Sequence, residues 1–464
     1  MLRSAHGYWL ADAGPVSPQP ALAAGPHTAD VLVIGGGYLG MWTAWRLAER
    51  GADVLLVEAD RCGHGPSGRN GGFVNPLWDR AAELREMFGD DAARRLCEVS
   101  ANAADLIETW CSDQGVDAHL RRAPMLEVAA TAGQVGDWDE GIAACRALGA
   151  GDEAAVLDAR GARAVCDSPE FHGGVLWTTA ATIHPAQLAL GLRQRLIEHP
   201  GVRVHEYTRV VTMTDGLGAV DVRSNAGATV SARSAVLAIN HRSAAVGPLR
   251  GALSVASSHA VATEPVPDVL DRLGWVGGEP IADCRTMLHY FRTTRDDRIV
   301  FGWGGGRMAY GGRHRTALDN DSEVQDQTVR HLHELLPQLI GKRITHAWGG
   351  PIDVSPVHLP WFGTLRSVHY GVGFTGNGVG PTVWGGQVLA DLVSGATSEL
   401  TSLPNVGGLP PKRFPPEPMR YVGGAVIRQA LMRVDDADQR GTRADPISRA
   451  VGALPGILGL RLPR

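Results

Sequence analysis

Residues 30–40 read D-V-L-V-I-G-G-G-Y-L-G and lead into an apolar-periodic stretch at 41–50. Positions 31–34 are all apolar, the pattern of a strand covered on both faces of a parallel sheet. Gly35, Gly37 and Gly40 follow at G-x-G-x-x-G spacing. The first glycine allows a tight turn, the second lets a pyrophosphate approach the backbone, and the third lets the next helix pack closely on the sheet. A helix starting near Tyr38 aims its free N–H groups and positive end at those phosphates. Residues 52–57 read as a second strand closed by Glu58, whose carboxylate is placed to accept hydrogen bonds from a ribose diol. Strand, turn, helix and acid in this order predict a dinucleotide site in an α/β domain.

Around that stretch, 464 residues leave room for two to four domains. The chain is 44% hydrophobic and 20% charged, with a formal net charge of -5, and no basic run marks a nucleic-acid or anionic membrane partner. No apolar stretch reaches the roughly 18 residues that a membrane span needs. Residues 1–26, broken by Asp12, Pro15, Pro18 and Pro20, lack the apolar core of a signal peptide. Six cysteines without a C-x-x-C pair read as reduced thiols of a cytoplasmic protein, and no metal site is expected. Lys342 and Lys412 are the two lysines, which limits any mechanism needing an active-site lysine.

In chain order, residues 1–28 form a Pro/Ala-rich arm, expected to be anchored by Tyr8 and Trp9. The nucleotide unit at 29–80 includes a second glycine-rich loop, R-C-G-H-G-P-S-G-R-N-G-G at 61–72, which suits neither helix nor strand and falls over the same crevice. Residues 81–173 carry helical patterns at 81–113 and 134–148. At 174–250 come a strand V-L-W-T-T, a helix from Pro185 to His199, and strand patterns at 202–207, 210–214, 219–224 and 235–239. The last of these resumes the parallel sheet, so the nucleotide domain is expected to be discontinuous. Residues 251–349 read as a second, β-rich unit, with a strand at 255–263, a hairpin at 287–293 and 298–303, and a helix at 322–336. The chain returns to the first domain at 350–400 through Y-G-V-G-F-T-G-N-G-V-G-P and a helix at 382–393. Residues 401–464, with one helix at 419–434, read as a wrap or an oligomer contact.

These separated pieces, G-G-G-Y-L-G with Glu58, P-S-G-R-N-G-G, W-G-G-P-I-D-V-S-P at 348–356 and G-F-T-G-N-G-V-G-P at 373–381, resemble FAD-dependent oxidoreductases of the D-amino-acid oxidase superfamily over about residues 5–400. The S-G-R-N-G-G loop and H-Y-F-R-T-T-R-D-D-R-I-V-F-G-W at 289–303 are most similar to its gamma-glutamylputrescine oxidoreductase-like branch. The resemblance implies a discontinuous Rossmann-like FAD-binding domain, with a β-rich α+β domain capping the flavin's reactive face. It implies that Gly35, Gly37, Leu39 and Gly40 hold the pyrophosphate, Glu58 the adenosine ribose and Arg61 the adenine side. Ser67, Gly68, Asn70 and Gly71 would line the pyrophosphate and flavin, and Val210 would meet the adenine through its backbone. Gly376, Asn377, Gly378 and Val379 would donate to the N1 and C2 carbonyl edge of the ring, where the following helix stabilises the negative charge of reduced flavin. Noncovalent FAD is expected, Cys62 and His64 being the residues that could attach it.

One departure bears on the substrate. Family members that oxidise α-amino acids commonly carry an arginine just before the proline of the segment corresponding to 351–356, and often another in the closing loop, to clamp a carboxylate. Asp353 and Asn377 occupy those neighbourhoods here. An acid repels a carboxylate and attracts a cationic amine, so the expected substrate is an amine without an adjacent carboxylate. A structural acid bonded to backbone near a turn is the competing reading of Asp353. The implied chemistry takes a hydride from the carbon next to nitrogen to flavin N5, leaving an imine that water hydrolyses. A strong general base is unnecessary if an apolar pocket lowers the amine pKa. His289, Tyr290 and Trp303 on the hairpin and His64 over the flavin loop are candidates for substrate contact, with packing open as the other role of each. The acceptor, oxygen or another, stays open. Relatives resembling sarcosine oxidase use a lysine near N5, and neither lysine here lies in a flavin-facing motif. The alternatives are a dehydrogenase of an amino acid or biosynthetic intermediate, its carboxylate held by Arg292 or Arg69, and a noncatalytic FAD-bearing subunit whose C-terminal extension serves assembly.

Overall fold

Gly25–Ile34, which contains the apolar run at 31–34, is the central strand of the first sheet in the computed structural model, which describes residues 2–3, 6–216 and 218–460. Val202–His205, Val54–Val57, Gly25–Ile34, Ala228–Leu237 and Val368–Val372 lie side by side and run parallel. Trp361–Leu365 continues the sheet antiparallel to the last of them. The strand order reverses between Gly25–Ile34 and Ala228–Leu237, which opens a crevice at their carboxyl ends. Alternate residues of the central strand enter different cores. Val31 and Val33 join Trp42, Leu56, Trp384 and Leu389, whereas Leu32 and Ile34 join Leu55, Leu237 and Tyr370. Helix Tyr38–Glu49 covers the first of these faces together with Val379–Ser394.

The second sheet has the order Leu2–Arg3, Ile344–Val354, Ser254–Thr263, Ile299–Trp303, His289–Thr293, Ile281–Asp283, Met125–Val128, Gly173–Trp177 and Ala154–Asp158. The hairpin expected near 287–303 is present within it. Gly173–Trp177 joins this sheet, against the expectation that the nucleotide domain resumes at 174. Its apolar run pairs antiparallel with Met125–Val128 and Ala154–Asp158 instead. One face of the sheet is closed by helix Ser322–Leu335, where Leu332 and Leu335 meet Phe291, Phe301 and Leu126. The other face turns towards the first domain.

Between the two sheets lies the N-terminal helix Gly7–Asp12. Tyr8 and Trp9 are buried there among Ala260, Val300, Trp348 and Ala186. At the far end of the chain, helix Met419–Gln439 runs five residues beyond the expected 419–434. It lies against the loop ends of the second sheet, with Asp435 accepting from Met287 N at 3.0 Å and Arg428 donating to the Gly305 carbonyl. Among the described residues no helix is long and apolar enough to cross a membrane.

Candidate active site

The glycine turn forms a cradle in which side chains have no room. A Cβ on Gly40 would lie 1.9 Å from the Gly35 carbonyl oxygen, and Gly35 itself sits at φ +111 against the Ala238 carbonyl. The N-cap, Gly37, has no side chain to offer helix Tyr38–Glu49, so the N–H groups around Leu39 and Gly40 face the crevice. Ser67 crosses over this end, its Oγ accepting from Tyr38 N at 2.9 Å and standing 3.0 Å from where a Gly37 Cβ would be. Glu58 accepts from Gly36 N at 2.7 Å and from Asp60 N at 2.8 Å, and burial pushes its carboxyl above the usual range. The Thr208 N–H donates to the Glu58 carbonyl at 2.7 Å, which brings Val210, two residues on, to the same end.

Two residues of the second loop do other work than the resemblance implies. Asn70 spends its side chain inside the loop, donating to Ser67 O at 2.8 Å and Pro66 O at 3.2 Å while accepting from Gly72 N at 2.7 Å. It shapes the backbone around Gly68 and Gly71 and has little left for a ligand. Arg61 donates to Val16 O at 2.8 Å and ties down the N-terminal arm. Cys62 is packed beneath Gly36, with burial holding its thiol well above the usual range. His64 meets His6 edge-on at 5.9 Å, and its backbone N–H returns to Arg61 O. Burial lowers its pKa to about 4. It stands beside the arm, not over a substrate face.

The closing helix starts three residues before the expected Thr382, at Val379. Pro381 therefore lies in its first turn, where a missing N–H costs no helical bond. Gly378 is the N-cap and no side chain caps the helix, so this second positive end also faces the crevice. Gly376 sits at φ +86, where an added Cβ would meet Ile352 at 3.9 Å. Asp353 holds this loop from behind. Its carboxylate accepts from Gly373 N at 2.6 Å and Asn240 Nδ2 at 3.2 Å, while its carbonyl accepts from Thr375 N at 3.1 Å. It is 1% exposed. The structural reading of Asp353 is therefore the correct one: its carboxylate faces the backbone of the closing loop, not an amine.

Parity in the second sheet decides which side chains face the crevice. Glu127, Ala282, Tyr290, Gly302, Ala260 and Trp348 form one cross-strand row. Tyr290 meets Phe73 edge-on at 5.8 Å, and Trp348 Nε1 donates to Arg69 O at 2.7 Å, so this row is the face turned to the 61–72 loop. The Tyr290 ring crosses Gly302, where any Cβ would collide with it, and its hydroxyl reaches Ser258 Oγ at 2.9 Å. Ser258 donates in turn to Trp303 O at 3.0 Å, which leaves Tyr290 as the donor in their bond. Gly350, paired with Ser258, has open space where its side chain would be.

His289 and Trp303, expected at the substrate, point to the opposite face. His289 Nδ1 meets Asp283 at 2.7 Å and Nε2 meets His331 Nδ1 at 2.8 Å, all beneath the sheet. Trp303 packs edge-on against His331 at 4.8 Å. A side-chain period of two moves both away from the crevice and brings Tyr290 into it.

Two helix ends that begin at glycine N-caps, glycines without room for side chains and an acid closing the second strand fit a dinucleotide held along its length. Residues 30–392 match the family model described as FAD dependent oxidoreductase. The chain belongs to this family. It is 30% identical to the probable oxidoreductase OrdL of Rhizobium meliloti (strain 1021) over 446 residues, covering 92% of this chain and 95% of that protein. It is also 30% identical to the gamma-glutamylputrescine oxidoreductase of Escherichia coli (strain K12) over 432 residues, covering 92% of this chain and 96% of that one. A solved glycine oxidase from Geobacillus kaustophilus superimposes with a TM-score of 0.68 at 19% identity, over 83% of this chain and 99% of that one. The α/β FAD domain with its capping domain is thus the family's fold, and FAD is the cofactor. The glycine turn, Glu58 and the two helix ends are the groups that would hold it.

Two experiments follow from this geometry. Tyr290→Phe is expected to lower kcat/KM about tenfold with FAD content unchanged, whereas His289→Gln lowers Tm and leaves KM alone; steady-state kinetics and thermal melts of both variants separate the two faces. The second concerns Asp353, whose pKa burial raises from 3.8 to about 7. Its folded form holds a proton that the unfolded chain has released, so its contribution to stability falls as pH rises from about 4 towards 7. Asp353→Asn should remove that slope, making the variant gain on wild type between pH 5 and pH 8 in denaturant titrations. A parallel pH dependence of the two proteins would contradict it.

Proposed function

We propose that this FAD-dependent oxidoreductase acts on CH–NH, oxidising the C–N bond of an amine that carries no carboxylate beside the reacting nitrogen. The observation that carries the reading is the state of the two arginines near the crevice. Arg69 is ion-paired with Asp319 at 3.0 Å. Arg292 is buried and donates to three carbonyls, those of Ile183 at 2.6 Å, Thr293 at 3.0 Å and Gly72 at 3.3 Å. Both are committed to holding the protein together, and clamping a substrate carboxylate would require breaking those bonds. The names of two relatives, gamma-glutamylputrescine oxidoreductase and glycine oxidase, agree with an amino compound as substrate.

Bound FAD, held by the glycine turn, Glu58 and the two helix ends, would supply the two-electron acceptor for the hydride on the carbon next to nitrogen. The protein's part is to present that carbon and to keep the amine neutral. Phe73, Ile352 and Ala260 make the facing surface apolar, which disfavours an ammonium and releases its proton. Tyr290, which donates to Ser258, keeps its oxygen lone pairs for an N–H of the amine. Product analysis tests the reading: under anaerobic turnover, one ammonia and one aldehyde should appear per FAD reduced, and a 2-oxo acid in place of the aldehyde would refute it.

A further inference from the structure

Strand Ile344–Val354 carries two neighbouring glycines that are glycine for different reasons. A Cβ on Gly349 would lie 2.5 Å from the His259 ring, so close packing accounts for it. A Cβ on Gly350 would meet nothing within 4 Å. The φ of Gly350 lies outside the left-handed region, and its strand pairs with Ser254–Thr263 without a bulge from Ser254 to Ala262. Every other glycine in a described strand either takes a left-handed φ or would bring a Cβ under 3.0 Å from a neighbour. A glycine inside a strand weakens it. Once a bend, a bulge and a close protein contact are set aside, the approach of a ligand is the reason left for one.

The surroundings of Gly350 agree. Trp348, two residues before it on the same face, donates from Nε1 to Arg69 O in the 61–72 loop at 2.7 Å. Ile352, two residues after it, stands 3.9 Å from where a Gly376 Cβ would be on the closing loop. The strand thus spans the crevice between the two glycine-rich loops, with Gly350 about 7 Å from either anchor. Opposite Gly350 is Ser258, whose Oγ lies 2.9 Å from the Tyr290 hydroxyl. Exposure alternates along both strands here. Ser258, Gly350 and Ile352 are half-buried, whereas Ser257, Pro351 and Asp353 are buried. The face that holds Gly350 therefore opens on accessible space and not on a packed layer.

We propose that Gly350 is a specificity-determining residue: the room where its side chain would stand receives the chain carried by the reacting carbon, so that the substrate class is amines with several carbons there. This rests on the amine-oxidation reading for the reacting end, and adds what surrounds the rest of the molecule. Tyr290 meets the nitrogen. Trp348 and Ile352 bound the room along the strand, and Ser258 bounds it across.

The test uses the FAD-loaded enzyme, methylamine and n-hexylamine as probes, and the variants Gly350→Ala and Gly350→Val. Calorimetry on wild type should show n-hexylamine binding at least about tenfold tighter than methylamine, as burial of its methylenes requires. Gly350→Val should weaken n-hexylamine about tenfold or more and leave methylamine within about twofold, with Gly350→Ala in between. The kcat/KM for anaerobic flavin reduction should follow the same order. Tm and FAD content should not fall, because no protein atom stands in the way of the new side chain. A structural role for Gly350 would instead lower Tm and weaken both amines alike. Equal weakening of both amines, unchanged n-hexylamine binding in Gly350→Val, or no preference for n-hexylamine in wild type overturns the assignment. Selection by chain length that Gly350→Val abolishes, without flavin reduction by either amine, leaves Gly350 standing and removes the amine-oxidation reading instead. If Gly350→Val fails to fold, Gly350→Ala and the wild-type comparison still decide.

Discussion

Gly40→Ala protein is expected to purify without flavin absorbance. The added Cβ would sit 1.9 Å from the Gly35 carbonyl oxygen, a backbone atom with no rotamer by which to move aside. Gly35 cannot retreat either, because it is wedged at φ +111 against the Ala238 carbonyl of the neighbouring strand. The helix must therefore lift off the sheet, taking with it the N–H groups that would face the pyrophosphate. Overpacking of this kind costs about 3 kcal/mol or more, roughly a hundredfold in FAD affinity. The ratio of FAD to protein after gel filtration measures it. Gly247→Ala, at an exposed glycine with nothing within 4 Å of a new Cβ, is the control that should retain full FAD. Full occupancy in Gly40→Ala would mean that the turn is not the phosphate cradle.

The largest loss of stability is expected from Glu206→Ala. Glu206 is fully buried and binds Arg193 through two bonds of 2.7 and 2.9 Å, Gln19 N at 2.7 Å and Cys62 N at 2.8 Å. Arg193 also donates to Ser17 O at 2.7 Å, so one ion pair joins the arm, the second glycine loop and helix Pro185–Glu198. Truncating the acid leaves a buried guanidinium uncompensated and two backbone N–H groups without acceptors, a loss of about 3–5 kcal/mol. Although burial pushes the Glu206 pKa up, the bonds from Arg193, Gln19 and Cys62 bring it below the usual range. Its stabilisation is therefore complete above about pH 4 and is lost as pH falls through the folded pKa. Denaturant titrations should show the variant far below wild type at pH 7 and the gap narrowing in acid. A gap that is small or constant with pH would contradict this account of the pair.

The cofactor half of the site is legible in the sequence because its chemistry is local. Gly35, Gly37 and Gly40 mark the turn, Glu58 follows at the end of the next strand, and the loop at 61–72 announces itself by its glycines. The substrate half is not local. In H-Y-F-R-T every residue but the half-buried Tyr290 is buried, so alternation gives no exposed side from which to tell Tyr290 from His289. Only the pairing of that strand between Ile281–Asp283 and Ile299–Trp303, and the Phe73 ring reaching from the other domain, assigns the faces. The two readings of Asp353 cannot be separated in the sequence for a similar reason, since its side-chain partner Asn240 lies 113 residues away.

Anaerobic addition of primary amines to the FAD-loaded enzyme, followed by the flavin spectrum, tests the central claim most directly. The account predicts that amines lacking an adjacent carboxylate bleach the flavin and that α-amino acids of the same length leave it oxidised. Bleaching by α-amino acids alone would contradict it and return the site to a carboxylate clamp by Arg69 or Arg292.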